Sequence, residues 1–294
     1  MKKITFCLIL ISGIFGFAQT EEIDFEQMVE AEMKSAYSIQ NFQANPNTQN
    51  YDITYHELRF TVDPAVYNIV GQVTTTFTAL EDLNSITFDF TDVLSVSSVT
   101  LGGVPLTFNQ LNTEELVINF STTILNGSSA TVVISYSGAP DTDEQAFSTS
   151  THNGTPVIYT LSEPFGARDW WPCKQDLNDK IDSLDVFITA PSEYVSVTNG
   201  LEMGIVDNGN GTKTTHFQHN YPIPAYLVAL AITNYSVFTQ QAGTAPNQFP
   251  IVNYLYPENL TSSQNSVAVT IPIMNLFEEL FETYPFANEK YGHA

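Results

Sequence analysis

Apolar and polar positions alternate with a period of two from Tyr51 to about Gln241. Tyr51, Ile53 and Tyr55 alternate with polar neighbours, and Leu58, Phe60 and Val62 continue on a shifted face. Further runs rich in Val, Ile, Thr, Tyr and Phe cover 70–80, 86–90, 96–101, 116–120, 130–136, 157–161, 183–189, 194–199, 213–219, 226–232 and 249–256. Such residues suit a pleated, half-buried surface, so each run predicts a strand. Turn signals separate them, among them Gly102-Gly103, Asn126-Gly127, Asn153-Gly154 and Asn208 to Gly211. Many short strands joined by regular turns predict a mainly β chain folded as an antiparallel sandwich or a large curved sheet.

The period differs on either side of this block. Residues 21–40 have a helical pattern, with Phe25, Met28, Val29, Met33 and Ala36 near one face, and the Asn- and Gln-rich stretch 41–50 reads as a linker. After Pro257, Thr261-Ser262-Ser263-Gln264 has the spacing of a helix capping box. Val267, Ile271, Met274, Phe277, Leu280 and Phe281 then form a helical apolar stripe, which Pro272 should kink or split. This helix is expected to open a second domain. A domain showing one helix cannot bury a core of its own, so the sequence is expected to be cut short.

Residues 1–18 change the picture of the N-terminus. Lys2 and Lys3 precede an apolar run from Ile4 to Phe17, and Gly16-Phe17-Ala18 has the small-x-small form of a cleavage site. This predicts a secretory signal peptide cleaved after Ala18, and hence a secreted or periplasmic protein with no transmembrane segment. The division expected is therefore a signal peptide at 1–18, a helical leader and linker at 19–50, a β domain at 51–243 and the start of a second domain at 244–294. The formal net charge of −23 makes nucleic acid an unsuitable partner and favours solubility and cationic ligands. Cys7 falls in the signal peptide, leaving Cys173 alone, which excludes a disulfide framework and a Cys-only metal cluster.

Complete catalytic sets are absent from this sequence. His56-Glu57 begins like HExxH, but Phe60 occupies the second His position and the stretch has a strand pattern. His216 and His219, three apart in a strand, should lie on opposite faces as ordinary exposed side chains. Cys173 beside Lys174 could be a nucleophile if a His lay near it, or a small buried hydrophobe. The densest chemistry lies between two strands, in Thr160-Leu-Ser-Glu163-Pro-Phe-Gly-Ala-Arg168-Asp-Trp-Trp-Pro172-Cys173, continuing to Lys180. Irregular segments of this kind are where function concentrates.

That stretch resembles the segment Q-x-[EQ]-x-x-x-A-R-x-x-x-P-C-x-D-x-P-x-x-K of the aminopeptidase N family of zinc metallopeptidases, including its leukotriene hydrolase branch. Glu163, Ala167, Arg168, Pro172, Cys173 and Lys180 match. Asn50 to Asp63 with Gly71-Gln-Val-Thr resembles the family's opening strands, and Tyr221-Pro-Ile-Pro-Ala-Tyr226-Leu-Val-Ala-Leu230 resembles its P-x-x-x-Y-L-V-A-F segment. Phe277 to Phe286, ending in Tyr284-Pro-Phe, resembles the start of its catalytic domain. The chain departs from the pattern at Leu161, Gln175 and Leu177, where the family has Gln, Asp and Pro.

The resemblance implies a saddle-shaped β domain followed by the first helix of a thermolysin-like catalytic domain, and a peptidase acting on peptides with a free N-terminus. It implies that Glu163 binds the substrate α-amine. It also implies zinc in the intact enzyme, held by residues that in the family follow Tyr-Pro-Phe. No metal ligand or catalytic residue is therefore assigned within 1–294, and the fragment alone should be inactive. The alternatives are a non-catalytic, secreted β binding module and a hydrolase dependent on Cys173.

Overall fold

The computed structural model describes residues 44–142 and 146–294; the signal-peptide and leader-helix expectations fall outside these residues. The first strands are β1 (Tyr51–Asp63), β2 (Val66–Ala79), β3 (Leu83–Asp89), β4 (Ser95–Leu101), β5 (Val104–Pro105), β6 (Thr107–Leu111), β7 (Glu115–Ile124), β8 (Ser129–Gly138), β9 (Phe147–His152) and β10 (Thr155–Thr160). After an irregular segment follow β11 (Ser183–Pro191), β12 (Val195–Val197), β13 (Leu201–Asp207), β14 (Thr212–His219), β15 (Ala231–Thr233), β16 (Ser236–Ala242) and β17 (Phe249–Leu255). Two helices, α1 (Leu260–Val267) and α2 (Thr270–Leu280), and the short β18 (Tyr291–His293) complete the described chain.

An eight-stranded sheet runs β13-β14-β11-β1-β2-β8-β4-β5, a four-stranded sheet β12-β15-β10-β9, and two three-stranded sheets β16-β17-β18 and β3-β7-β6. Most pairs are antiparallel; β1 with β11 and β17 with β18 are parallel. The mainly β architecture expected from the alternation is the one observed.

The shifted face of β1 has a simple cause. The pairing of β1 with β2 slips between Ile53 and Tyr55, leaving Thr54 as an extra residue. A bulge of this kind turns the next residue over while pairing continues. Tyr51 and Ile53 face the core before it, and His56, Leu58, Phe60 and Val62 face the core after it. Tyr55, expected inward, is half-buried instead, and its hydroxyl donates to Asp185 at 2.9 Å. One core cluster takes in the inner faces of β1, β2, β3, β7, β8 and β11 together with Trp170, Trp171 and Cys173 from the irregular segment.

Four expectations need correction. Residues 226–232 are not one strand: a 3-10 turn covers Ala225–Leu227, and pairing begins only at Ala231. Side chains replace the ladder between them, since Ala229 N donates to Asn199 Oδ1 (2.8 Å) and Leu230 N to Thr160 Oγ1 (2.8 Å). The strand expected at 194–199 shrinks to Val195–Val197. The helical stretch does break, but at Ala268 and Val269, placing Pro272 in the first turn of α2, where the missing N–H costs nothing. Thr261 lies inside α1 and caps nothing; Ser262 Oγ instead donates to Asn259 O at 2.9 Å.

The described part of the expected linker is bound to the body. Asn45 Nδ2 donates to Asp89 Oδ1 (3.0 Å) and to Glu115 Oε1 (2.8 Å), and Gln49 Nε2 donates to Asp176 Oδ2 (3.0 Å).

Candidate functional site

The irregular segment between β10 and β11 carries Glu163. β10 ends at Thr160, and the chain turns through Ser162, whose carbonyl accepts from Gly166 N at 2.8 Å. A 3-10 turn at Ala167–Asp169 follows, then the buried pair Trp170-Trp171. Trp170 Nε1 donates back to Ser162 Oγ at 2.8 Å, tying the start of the loop to its middle. The Tyr136 hydroxyl donates to the Trp170 carbonyl at 2.7 Å.

The rest of the loop is braced by β3. Asp89 and Cys173 exchange two backbone hydrogen bonds (2.8 and 3.0 Å), Gln175 N donates to Asp89 Oδ2 (2.8 Å), and Thr91 N donates to Arg168 O (3.1 Å). Arg168 reaches Glu114 Oε2 at 2.6 Å, and Glu114 sits at a φ of 62° in the hairpin between β6 and β7. Lys174 is buried, donates to Tyr51 O at 2.7 Å and pairs with Asp179.

Burial governs the titration of this frame. It pushes the Asp89 carboxyl up, against the opposing donors Gln175 and Asn45. It pushes the Cys173 thiol well above its usual range, and the nearby Asp89 charge adds to this. A thiol held protonated and out of solvent is the reverse of an activated nucleophile. The reading of Cys173 as a catalytic nucleophile is therefore set aside, and its place is in the core.

Glu163 differs from its surroundings. It is exposed, and no hydrogen bond or ion pair to its carboxylate is found among the described residues. A rigid frame thus presents a carboxylate whose acceptor positions are open. Such a group can take charge-assisted bonds from an ammonium.

The other residues singled out in the sequence are dispersed. His56 is buried, not part of any metal set, with Nδ1 3.0 Å from Thr75 Oγ1 and its ring edge-on to Trp171 at 5.3 Å. His216 and His219 do lie on opposite faces, but neither is an ordinary exposed side chain. His216 Nε2 meets Asp185 at 2.6 Å and stacks on Phe187 at 4.2 Å. His219 is buried and donates from Nδ1 to Glu289 Oε2 at 2.5 Å. Among the described residues, no group of three or more His, Cys, Asp or Glu side chains converges to hold a metal ion, so the side chains present do not fit a zinc site. No described helix is long and apolar enough to cross a membrane.

Sequence reasoning missed a cavity of about 1090 Å³ beside the loop. Its wall includes Thr160, Lys180, His219, Tyr254, Tyr284 and Lys290. Glu163 is not part of that wall, but Thr160 lies three residues before it. No periodic signal could have found the cavity, because its sides come from segments far apart in the chain.

The family model of the peptidase M1 N-terminal domain matches residues 47–227. Leucine aminopeptidase 2 of Vanderwaltozyma polyspora is 30% identical over 195 residues, covering 63% of this chain and 29% of that protein. Human glutamyl aminopeptidase is 28% identical over 138 residues, covering 45% of this chain and 14% of that protein. Among solved structures, an M1 zinc metallopeptidase from Deinococcus radiodurans superposes with a TM-score of 0.68 at 22% identity, over 83% of this chain and 55% of that one. The chain therefore spans less than a third of the curated relatives and about half of the structural neighbour.

Proposed function

This chain belongs to the peptidase M1 N-terminal domain family, and from that premise we propose that the intact protein is a secreted zinc aminopeptidase in which Glu163 binds the substrate's free α-amine. The observation that supports the role of Glu163 is its combination of an open carboxylate with a tightly bonded frame. A preorganised carboxylate gains a charge-assisted bond to an ammonium without first breaking a bond of its own. A substrate with no ammonium at this position forgoes that bond, which disfavours internal cleavage.

In this reading, residues 244–294 open the catalytic domain, and zinc would supply Lewis-acid and water-activating chemistry from ligands outside this sequence. No step through zinc is derived from the residues present. The part of this chain is to bind and orient: Glu163 fixes the amine, and Arg168, Asp89 and Tyr136 hold the loop that presents it. The fragment alone should not hydrolyse peptides, since its one His-Glu pair, His56-Glu57, sits in a strand.

The test is Glu163→Ala in the intact enzyme. Loss of a charge-assisted bond worth about 2–3 kcal/mol should lower kcat/KM for a free-amine substrate by about 30- to 150-fold. An N-acetylated substrate, having no ammonium, should be turned over as poorly as before. Equal, negligible changes for both substrates would return Glu163 to the status of a solvated loop side chain.

A further inference from the structure

The chain holds five Asn-Gly pairs, beginning at Asn126, Asn153, Asn199, Asn208 and Asn210, and each lies between strands. Asn-Gly is the pair best suited to an internal ring closure, in which the glycine nitrogen attacks the asparagine side-chain carbon, because glycine has no Cβ to block the approach. Four of the five are held against it. Gly127 N donates to Ala79 O at 2.8 Å. The Asn199 amide is bound at both ends, with Nδ2 donating to Leu227 O at 2.9 Å and Oδ1 accepting from Ala229 N at 2.8 Å. Gly209 N donates to Asp207 Oδ1 at 2.8 Å, and Asn208 Nδ2 to Thr212 Oγ1 at 2.9 Å. Asn210 Oδ1 accepts from Thr212 N at 3.1 Å and from Thr212 Oγ1 at 2.7 Å.

Asn153 is different. It is exposed, and among the described residues no hydrogen bond is found for its side-chain amide or for Gly154 N. With Gly154 it forms the two-residue turn of the β9–β10 hairpin, at φ values of 46° and 82°, closed by the pairing of His152 with Thr155. β9 is an edge strand bonded only to β10, so this turn opens without disturbing the rest of the sheet. That opening matters, because the left-handed turn must relax before Gly154 N can reach the side-chain carbon.

We propose that Asn153 is a site of spontaneous backbone modification, converted through a cyclic succinimide to aspartate and isoaspartate, and that the isoaspartate form unfastens the hairpin from the turn before α1. Gly154 N gives its proton to base and bonds to Asn153 Cγ. The Cγ–Nδ2 bond breaks, and Nδ2 leaves as ammonia with a proton taken from solvent. One water then opens the ring. Attack at the side-chain carbonyl leaves aspartate; attack at the main-chain carbonyl leaves isoaspartate, in which the chain runs through Cγ. The balance is one water consumed and one ammonia released, with no oxidant or reductant.

Isoaspartate adds a backbone carbon to a turn whose length fixes the register of its hairpin. His152, the preceding residue, is the one that fastens it. Its Nδ1 lies 2.8 Å from Glu258 Oε1, in the 3-10 turn Pro257–Asn259 ahead of α1, and its Nε2 lies 2.9 Å from Thr233 Oγ1 in β15. A lengthened turn draws His152 out of this double contact. The inference does not rest on the amine-binding role of Glu163, which takes no part in the chemistry.

The experiment is peptide mapping of the full 294-residue chain, held folded at pH 9 and sampled over time. Cleavage after Phe147 and Tyr159 yields 148–159, in which Asn153 is the sole side-chain amide. Conversion is read as the mass change of an NH2 replaced by an OH, and isoaspartate as a methyl acceptor for isoaspartyl methyltransferase. In the folded protein Asn153 should convert about tenfold or more faster than the other four, which must first break one or two hydrogen bonds. In urea the five should convert at similar rates, since the reacting pair is the same in each. In the isoaspartate form, separated by chromatography, amide exchange within 149–152 should accelerate by about tenfold or more while β1 and β2 keep their rates. Asn153→Asp, which adds the charge without lengthening the turn, should not reproduce that acceleration. A folded-state rate at Asn153 no higher than at another pair, a preference for Asn153 that persists in urea, an isoaspartate form with parental exchange in 149–152, or acceleration by Asn153→Asp would overturn the proposal.

Discussion

The Tyr136 hydroxyl donates a 2.7 Å hydrogen bond to the carbonyl oxygen of Trp170, joining the eight-stranded sheet to the loop that carries Glu163. Both residues are buried, so that carbonyl has no water to turn to. Space for the tyrosine ring comes from Gly71 on the neighbouring strand, where a Cβ would lie 2.2 Å from Tyr136 Cζ. Tyr136→Phe should therefore cost about 1–3 kcal/mol in urea unfolding by leaving a buried acceptor unpaired. Gly71→Ala should cost more, because the ring itself must move. The double variant should lose less than the sum, since both changes act through one ring. Strict additivity would show that Gly71 and Tyr136 are not linked in this way.

His56 makes the fold sensitive to acid. Burial holds its imidazole neutral and pushes its pKa down from 6.5 to about 3, against the opposing influence of the Thr74 backbone. The folded state thus binds fewer protons than the unfolded chain between these values. The contribution is fully present above pH 6.5 and is lost as pH falls toward 3. By itself it would amount to at most about 4–5 kcal/mol. His56→Phe, which keeps an aromatic ring beside Trp171, should lose less stability between pH 7 and pH 4 than the parent. Parallel acid limbs for the two proteins would count against His56 as the cause.

The interior strands were legible because one face of each is buried, and burial writes a period of two into the sequence. The strands not anticipated were β5, β6, β9, β13, β16 and β18, and each lies at the edge of its sheet. β13 is largely exposed on both faces, with Met203, Ile205 and Val206 all more than half accessible, so no alternation marks it. The opposite error at 226–232 arose because Val228, Leu230 and Ile232 are buried in alternation while the backbone between them is bonded to Asn199 and Thr160 side chains. Glu163 was legible only through the motif around it, since a lone loop carboxylate carries no periodic signal. The cavity at Lys290 was not legible, because His219, Tyr254 and Lys290 meet only through the fold.

Cys173 should behave as core. It is wholly buried, and its backbone forms the bridge to Asp89. Thiol-specific reagents should label the folded protein at neutral pH no faster than the fold opens, and rapid labelling would contradict the structure. Cys173→Ser should cost about 1 kcal/mol or more, because a buried hydroxyl gives up its hydrogen bonds to water on folding.

The C-terminal strand is held by Glu289. Its carboxylate accepts from His219 Nδ1 and Asn220 N, linking the turn after α2 to the end of β14. β18 follows two residues later and adds in parallel to β17 through Tyr291, Gly292 and His293. Glu289→Ala would leave the His219 imidazole and a backbone N–H facing a buried void. The nearest relief is for 284–294 to detach, which costs the short β18 pairing, the hydrogen bonds of Asn288, Lys290 and His293 to Tyr221, Thr198 and Asn253, and a few aromatic contacts. The loss should therefore appear as local opening rather than global unfolding. Hydrogen exchange of the amides in 291–293 should accelerate by about tenfold or more, the factor expected from about 1.4 kcal/mol, while amides of β1 and β2 keep their rates. Glu289→Gln retains an acceptor for Asn220 N and should fall between the two. Uniform acceleration throughout the eight-stranded sheet would mean that this pair stabilises the whole fold and does not act as a local fastening.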